Sequence, residues 1–140
     1  MSIQRAYSSS SPYASLNSAI PSQILTLHEL QTLVKEKQGP LFVKFSAQWC
    51  GPCQQVAPII DRHLTYLKSH TSPGAMLVTI DIDLPQNAPV VSHFRRTRGI
   101  SSVPTLLLFL TDNRDAKLVP DVVVVGANIP AIQKTFQHAG

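Results

Sequence analysis

The chain has 140 residues, 44% of them hydrophobic, a net charge of +4 and only two cysteines. That is the length of one domain with enough apolar side chain for its own core, and two cysteines exclude a disulfide-stapled scaffold. No apolar run approaches the roughly eighteen residues of a membrane helix, and no secretory h-region opens the chain, which argues against export to an oxidising compartment.

Residues 1–22 differ in character from the rest. Ser8 to Ser11 are consecutive serines, Arg5 is the one charge, and no acid precedes Glu29. Such a stretch lacks the apolar surface to offset its ordering entropy, so it reads as a disordered tail. Serine-rich, acid-free, arginine-bearing starts also describe transit peptides, and Arg5-Ala6-Tyr7-Ser8 resembles the end of a mitochondrial presequence. Both readings stay open, and with them a mitochondrial or a cytoplasmic location.

Residues 23–140 read as one folded domain. Ile24-Leu25 is a candidate short strand. Thr26 and Glu29 have capping-box spacing, Leu27, Leu30, Leu33 and Val34 follow at helical period, and Gly39-Pro40 ends the helix. Leu41 to Ser46 reads as a strand with Phe42, Lys44 and Ser46 on one face and Leu41, Val43 and Phe45 on the other. A helix is expected from about Pro52 to Lys68, with Val56, Ile59, Ile60, Leu64 and Leu67 inward and Pro58 as a kink. Ser69 to Gly74 is a polar loop and Met76 to Ile82 a strand. Asn87 to Arg98 is a short helix carrying Val90, Val91 and Phe94. Thr105 to Leu110 is apolar enough to be a central strand. Thr111 to Ala116 is a turn, Val122 to Val125 an edge strand after Pro120, and the last helix holds Ile129, Ile132 and Phe136. The order βαβαβαββα predicts an α/β domain, a mixed sheet with helices on both faces.

The chemistry concentrates at Trp49-Cys50-Gly51-Pro52-Cys53, where the predicted strand turns into the predicted helix. The first sulfur falls at a helix N-terminus, where unpaired N–H groups and the helix dipole favour thiolate. The second is close enough to close a ring. Two cysteines are also half of a tetrahedral zinc set, but His28, His63, His70, His93 and His138 are scattered without metal-ligand spacing, so no metal is expected. His63 reads as a core-edge histidine. Arg95, Arg96 and Arg98 fall at a helix end, where they complement the dipole as a solvated face. No aromatic residues interleave them, so no nucleic-acid site is expected.

The dithiol after an apolar strand, a proline in the next helix, Val103-Pro104-Thr105, and Gly126-Ala127 after a strand together resemble the thioredoxin family over residues 23–138. The resemblance implies the thioredoxin fold and a protein-disulfide reductase without cofactor. It implies Cys50 as the exposed nucleophile and Cys53 as the more buried resolving thiol. Trp49, Gly51 and Pro52 would flank the pair, and Val103-Pro104 would form a cis-proline loop whose backbone pairs with an extended client. Gly126-Ala127 would admit the client chain closely. Disulfide-bearing client proteins and a thioredoxin-reductase-type or other thiol electron donor are the implied partners, for a monomer. Pro52 favours reduction over the oxidase and isomerase chemistry of relatives that carry histidine there.

Lys44 departs from the family, which usually has a buried aspartate at that place. A charged lysine beside the dithiol would favour thiolate and the reduced form, whereas a desolvated neutral amine would be a base. A third reading has the lysine snorkel to the sheet edge and do no chemistry. Thr79 stands where the family usually has a lysine, and Ser102 where glycine is common. The loops around Pro73 and between Phe109 and Gly126 look extended. The lost acid keeps a second function open, a redox-dependent or inactive thioredoxin-like binding subunit of a larger assembly.

Overall fold

A computed structural model describes residues 26–110 and 117–140. The serine-rich segment, the Ile24-Leu25 strand and the 111–116 turn expected from the sequence lie outside the described residues. Among the described residues, four α-helices and four strands follow in chain order: α1 (Leu27–Glu36), β1 (Leu41–Ser46), α2 (Gly51–His70), β2 (Met76–Asp81), α3 (Ala88–Arg98), β3 (Thr105–Phe109), β4 (Val122–Val125) and α4 (Ile129–Ala139).

Local signals account for most element ends. Thr26 and Glu29 form the reciprocal capping box, at 3.0 and 2.9 Å. α2 starts at Gly51 because Cys50 is its N-cap, and it runs through Pro58 to His70. Its last turn outlasts the expected Lys68 because Ser69 and Thr71 hydroxyls bond back to the carbonyls of Tyr66 and Leu67. Gly99 ends α3 in the left-handed conformation.

The sheet order is β2-β1-β3-β4. β1 pairs parallel with β2 and antiparallel with β3, and β3 pairs antiparallel with β4. β1 and β3 are therefore interior, and β4 is an edge as Pro120 suggested. The strand alternation separates two cores. Leu41, Val43 and Phe45 face α1 and α3, packing on Leu30, Val90 and Phe94. Phe42 faces α2 and α4, packing on Val56, Ile60 and Phe136. Helices thus cover both faces. Ile59 and Val91, expected inside, are only half-buried at the flanks of their stripes. No helix among the described residues is long and apolar enough to cross a membrane.

The turn before β1 is tied to the loop after α2. Gly39 has φ +83°, and a Cβ there would lie 2.7 Å from the Pro73 carbonyl oxygen. Lys37 Nζ reaches the same loop at the Gly74 carbonyl, 2.8 Å away. Gly39→Ala therefore meets both a disfavoured φ and a backbone clash, and should lower unfolding free energy by about 1–3 kcal/mol. Gly99→Ala, at φ +66° with open space around its Cβ position, should lose only about 1 kcal/mol. Urea denaturation of the two variants checks the ranking; equal losses would remove the Pro73 contact from the account.

Candidate functional site

The site is built where β1 ends. Ala47 to Trp49 turn the chain, and Cys50 caps α2 with an extended backbone, φ −86° and ψ 106°. Its Sγ accepts the Cys53 backbone N–H at 3.1 Å. Sulfur here takes the place that an oxygen takes in ordinary N-caps. Cys50 and Cys53 are joined as a disulfide with Cα atoms 5.2 Å apart, within the usual range for such a bridge. Pro52 sits in the first helical turn, where a missing N–H is harmless.

One expectation fails here. Cys50 was expected to be exposed and Cys53 more buried, but they are 2% and 3% exposed. The Cys50 sulfur turns inward to its partner and packs with Ala47, Ile82 and Val103. What the site shows to solvent is Trp49, 69% exposed, together with Gly51 and Pro52. Trp49 is held upright by a 2.7 Å bond from its Nε1 to Asp83 Oδ2.

The Val103–Pro104 peptide is cis, and Val103 packs against the cysteines. Thr105 Oγ1 anchors this loop to the Ser102 carbonyl at 2.8 Å. No backbone hydrogen bond among the described residues uses Val103, so its N–H and C=O are available to a partner chain. The Pro104 ring is buried, and its carbonyl accepts the Gly126 N–H at 2.7 Å. That bond brings the second expected loop to the first. Gly126 has φ +83° and nothing within 4 Å of its Cβ position. Its glycine character is thus required by conformation, with open space above it, and Ala127 beside it is half-buried.

Lys44 is 8% exposed. β1 is an interior strand, so the outlet for this side chain is a cleft on the α2 side rather than a sheet edge. It lines a cleft of about 350 Å³ between α2 and the sheet, shared with Ser46, Cys53, Gln54, Thr79 and Asp81. Its strand neighbours are Thr79 and Leu106. Burial pushes its pKa below the ordinary 10.5, and the Asp61 carboxylate opposes that shift.

The sequence reading missed Asp83, Asp81 and Ile82. They are consecutive with the end of β2, and no local motif marks them; only the parallel register Ser46–Asp81 carries them to the dithiol. His63 is half-buried and stacked on Phe136 at 5.3 Å, a core-edge position. Arg95, Arg96 and Arg98 are exposed in the last turn of α3.

A capped dithiol, a cis-proline loop against its sulfurs and a glycine loop bonded to that proline define a thiol–disulfide exchange centre. Comparison with known proteins places it within one family. The thioredoxin family model matches residues 21–127, and the chain belongs to that family of disulfide oxidoreductases. It is 34% identical over 104 residues to thioredoxin Asp f 29 of Aspergillus fumigatus, covering 74% of this chain and 81% of that one. It is 36% identical over 90 residues to thioredoxin 1 of Synechococcus elongatus, covering 64% and 71%. Among solved structures, thioredoxin NaTrxh of Nicotiana alata superposes with TM-score 0.64 at 23% identity, covering 95% of this chain and 98% of that one. The thioredoxin of Trichomonas vaginalis gives 0.65 at 24%, covering 85% and 96%. At such identities the structural likeness speaks for the thioredoxin fold.

A buried lysine without a bound counterion opposes folding. The unfolded chain holds the Lys44 proton more tightly than the folded one, so stability rises with pH between the depressed folded pKa and 10.5. Lys44→Met should stabilise the oxidised protein at pH 7 by about 1.4 kcal/mol for each pKa unit of depression above that pH. The gain should shrink towards zero as pH approaches 10.5. Thermal unfolding between pH 6 and 10 checks this, and a pH-independent difference would mean that burial of the charge is not the cause.

Proposed function

We propose that the chain reduces disulfides in other proteins with Cys50 as attacking and Cys53 as resolving sulfur. The observation that carries this is the Cys50 Sγ at the α2 N-terminus, accepting the Cys53 N–H. A negative sulfur gains from that bond and from the helix dipole, so thiolate is favoured over thiol once the bridge is reduced.

The reaction then runs in two displacements. Cys50 thiolate attacks one sulfur of the client disulfide, and the client's other sulfur leaves as thiolate. Cys53 thiolate attacks Cys50, closes the Cys50–Cys53 bridge and releases the second client sulfur. Two electrons have passed to the client. A thioredoxin-reductase-type flavoenzyme or another thiol donor returns two electrons to the bridge. Trp49, Gly51 and Pro52 offer the exposed rim, and an extended client segment pairs with the Val103 backbone beside the open space above Gly126. A monomer working in a reducing compartment, mitochondrial or cytoplasmic, suits this direction of electron flow.

Lys44 sets the balance of the couple in this reading. A cation sharing a cleft with Cys53 favours the dithiol over the disulfide, which makes the protein a weaker reductant than one carrying an acid there. Lys44→Asp should lower the potential by about 30 mV or more, a tenfold change in the equilibrium with glutathione. Identical potentials would remove Lys44 from the redox balance.

The alternative, a binding subunit with an idle dithiol, makes the opposite prediction in a reduction assay. The reductase reading expects turnover of insulin disulfides with dithiothreitol, at least about 10³-fold loss in Cys50→Ser, and a trapped covalent client in Cys53→Ser. Inertness of the wild type with both thiols free would establish the binding subunit instead.

A further inference from the structure

The basic end of α3 takes no part in the exchange of electrons. Arg95, Arg96 and Arg98 fall in its last turn, and residues 88–98 include no acid. All three are exposed, and among the described residues none of their guanidinium groups has an ion pair or a hydrogen bond. Burial, and after it the charges of Arg96 and Arg98, hold the His93 pKa below the ordinary 6.5. The positive field therefore reaches along the helix. A helix C-terminus gains from positive charge, which accounts for basic residues in this turn. It does not account for where Arg95 is placed.

Arg95 lines a shallow groove together with Ile82, Val91, Phe94, Ser102 and Val103. Two of these residues, Ile82 and Val103, also pack against the cysteines. Groove and sulfurs are thus one side chain apart. Val103 also has a backbone without hydrogen bonds among the described residues. A client strand pairing there advances about 3.3 Å per residue and turns successive side chains to opposite faces. Its residue two places from the attacked cysteine falls about 7 Å away on the cysteine's own side, near enough for a long side chain such as arginine to meet it. The acids at the end of β2 are engaged elsewhere. Asp83 Oδ2 accepts the Trp49 Nε1–H, and Asp81 Oδ1 accepts the Asp83 N–H. The groove is largely apolar with a guanidinium at its border, which suits a side chain with a methylene stem and a terminal carboxylate.

Resting on the reductase reading, we infer that Arg95 selects clients carrying a carboxylate, glutamate above all, two residues from the attacked cysteine. The client strand pairs with Val103 and its cysteine meets Cys50. The acidic side chain then lies along the groove with its carboxylate on the Arg95 guanidinium. Arg96 and Arg98 add a field that draws such a segment in, and salt weakens that field. Arg95 makes and breaks no bond; it decides which client is attacked. Exposed charge pairs support rate differences of up to about fivefold each, so the result is a preference among clients.

The experiment uses three peptide disulfides that carry glutamate, glutamine or lysine two residues before and two residues after the cysteine. Second-order rate constants are measured for their reduction by the reduced protein. Each is divided by the rate of the same peptide with dithiothreitol, which removes the effect of the neighbouring charge on the peptide's own thiol. At about 0.01 M ionic strength the glutamate peptide should react at least about fivefold faster than the lysine peptide, and the ratio should approach one at about 1 M. Arg95→Gln should remove most of the ratio, Arg95→Glu should invert it, and Arg95→Lys should restore much of it. Arg96→Gln should keep more than half of it. A wild-type ratio near one at low salt would overturn the proposal, and so would an undiminished ratio in Arg95→Gln. Equal losses in Arg95→Gln and Arg96→Gln would overturn it in favour of diffuse attraction by the whole helix end. Preference for a phosphoserine peptide with none for glutamate would assign the surface to phosphate and overturn it as well. Failure of the wild type, with both thiols free, to reduce any of the peptides would instead sink the reductase reading on which it rests.

Discussion

The N-cap of α2 is the constraint on which the site depends. A helix start needs an acceptor for its free N–H groups, and here Cys50 sulfur supplies one to Cys53. Caps contribute about 1 kcal/mol, and an ionised acceptor at a helix N-terminus gains up to about 2 kcal/mol more. Folding and reactivity therefore draw on one contact. The geometry that starts the helix also holds the two sulfurs within bonding reach and favours charge on the first. An ordinary serine cap would start α2 equally well and do no redox chemistry.

The rest of the domain serves to hold other loops against that cap. β1 delivers the turn, and its parallel partner β2 delivers Asp81, Ile82 and Asp83 at the same end. β3 begins at the cis-proline loop, and β4 ends at Gly126, whose N–H closes on the Pro104 carbonyl. All four strands thus contribute an end to one rim. Packing fixes the placement: Val103 and Ile82 cover the sulfurs, while the two cores fix the sheet on either face. The sulfurs themselves are buried, while Trp49, Gly51 and Pro52 are exposed beside them.

Much of this was legible in the sequence because its causes are local. The capping box, the alternation in β1, the apolar run of β3 and the dithiol between strand and helix each depend on a few consecutive residues. Cys50 was misjudged because its exposure depends on Val103 and Ile82, which arrive from other strands. Asp83 went unseen for the same reason: a single acid after a strand has no local signature until Trp49 is placed beside it. The extra turn of α2 escaped because polar residues at its end bond their own backbone rather than the core. For Gly126 the sequence suggests close approach of a client chain, whereas the cause visible in the structure is its positive φ.

Lys44 shows how a departure from a family pattern acquires meaning only through geometry. In the strand it was one polar residue on an inward face, compatible with a cation, a base or an idle side chain. The sheet order puts it on an interior strand, in the wall of a cleft shared with Cys53. The cleft prevents full desolvation, which a lone ammonium would not tolerate at neutral pH. That cleft has bridged Cys53 and the Lys44 side chain in its wall. A hydrophobic side chain would fill such a place at lower free energy, so the lysine costs stability where a carboxylate or a methionine would cost something different. A fold that tolerates this cost beside Cys53 keeps a basic side chain in the wall of the site, where burial disfavours its charge and the Asp61 carboxylate opposes that effect.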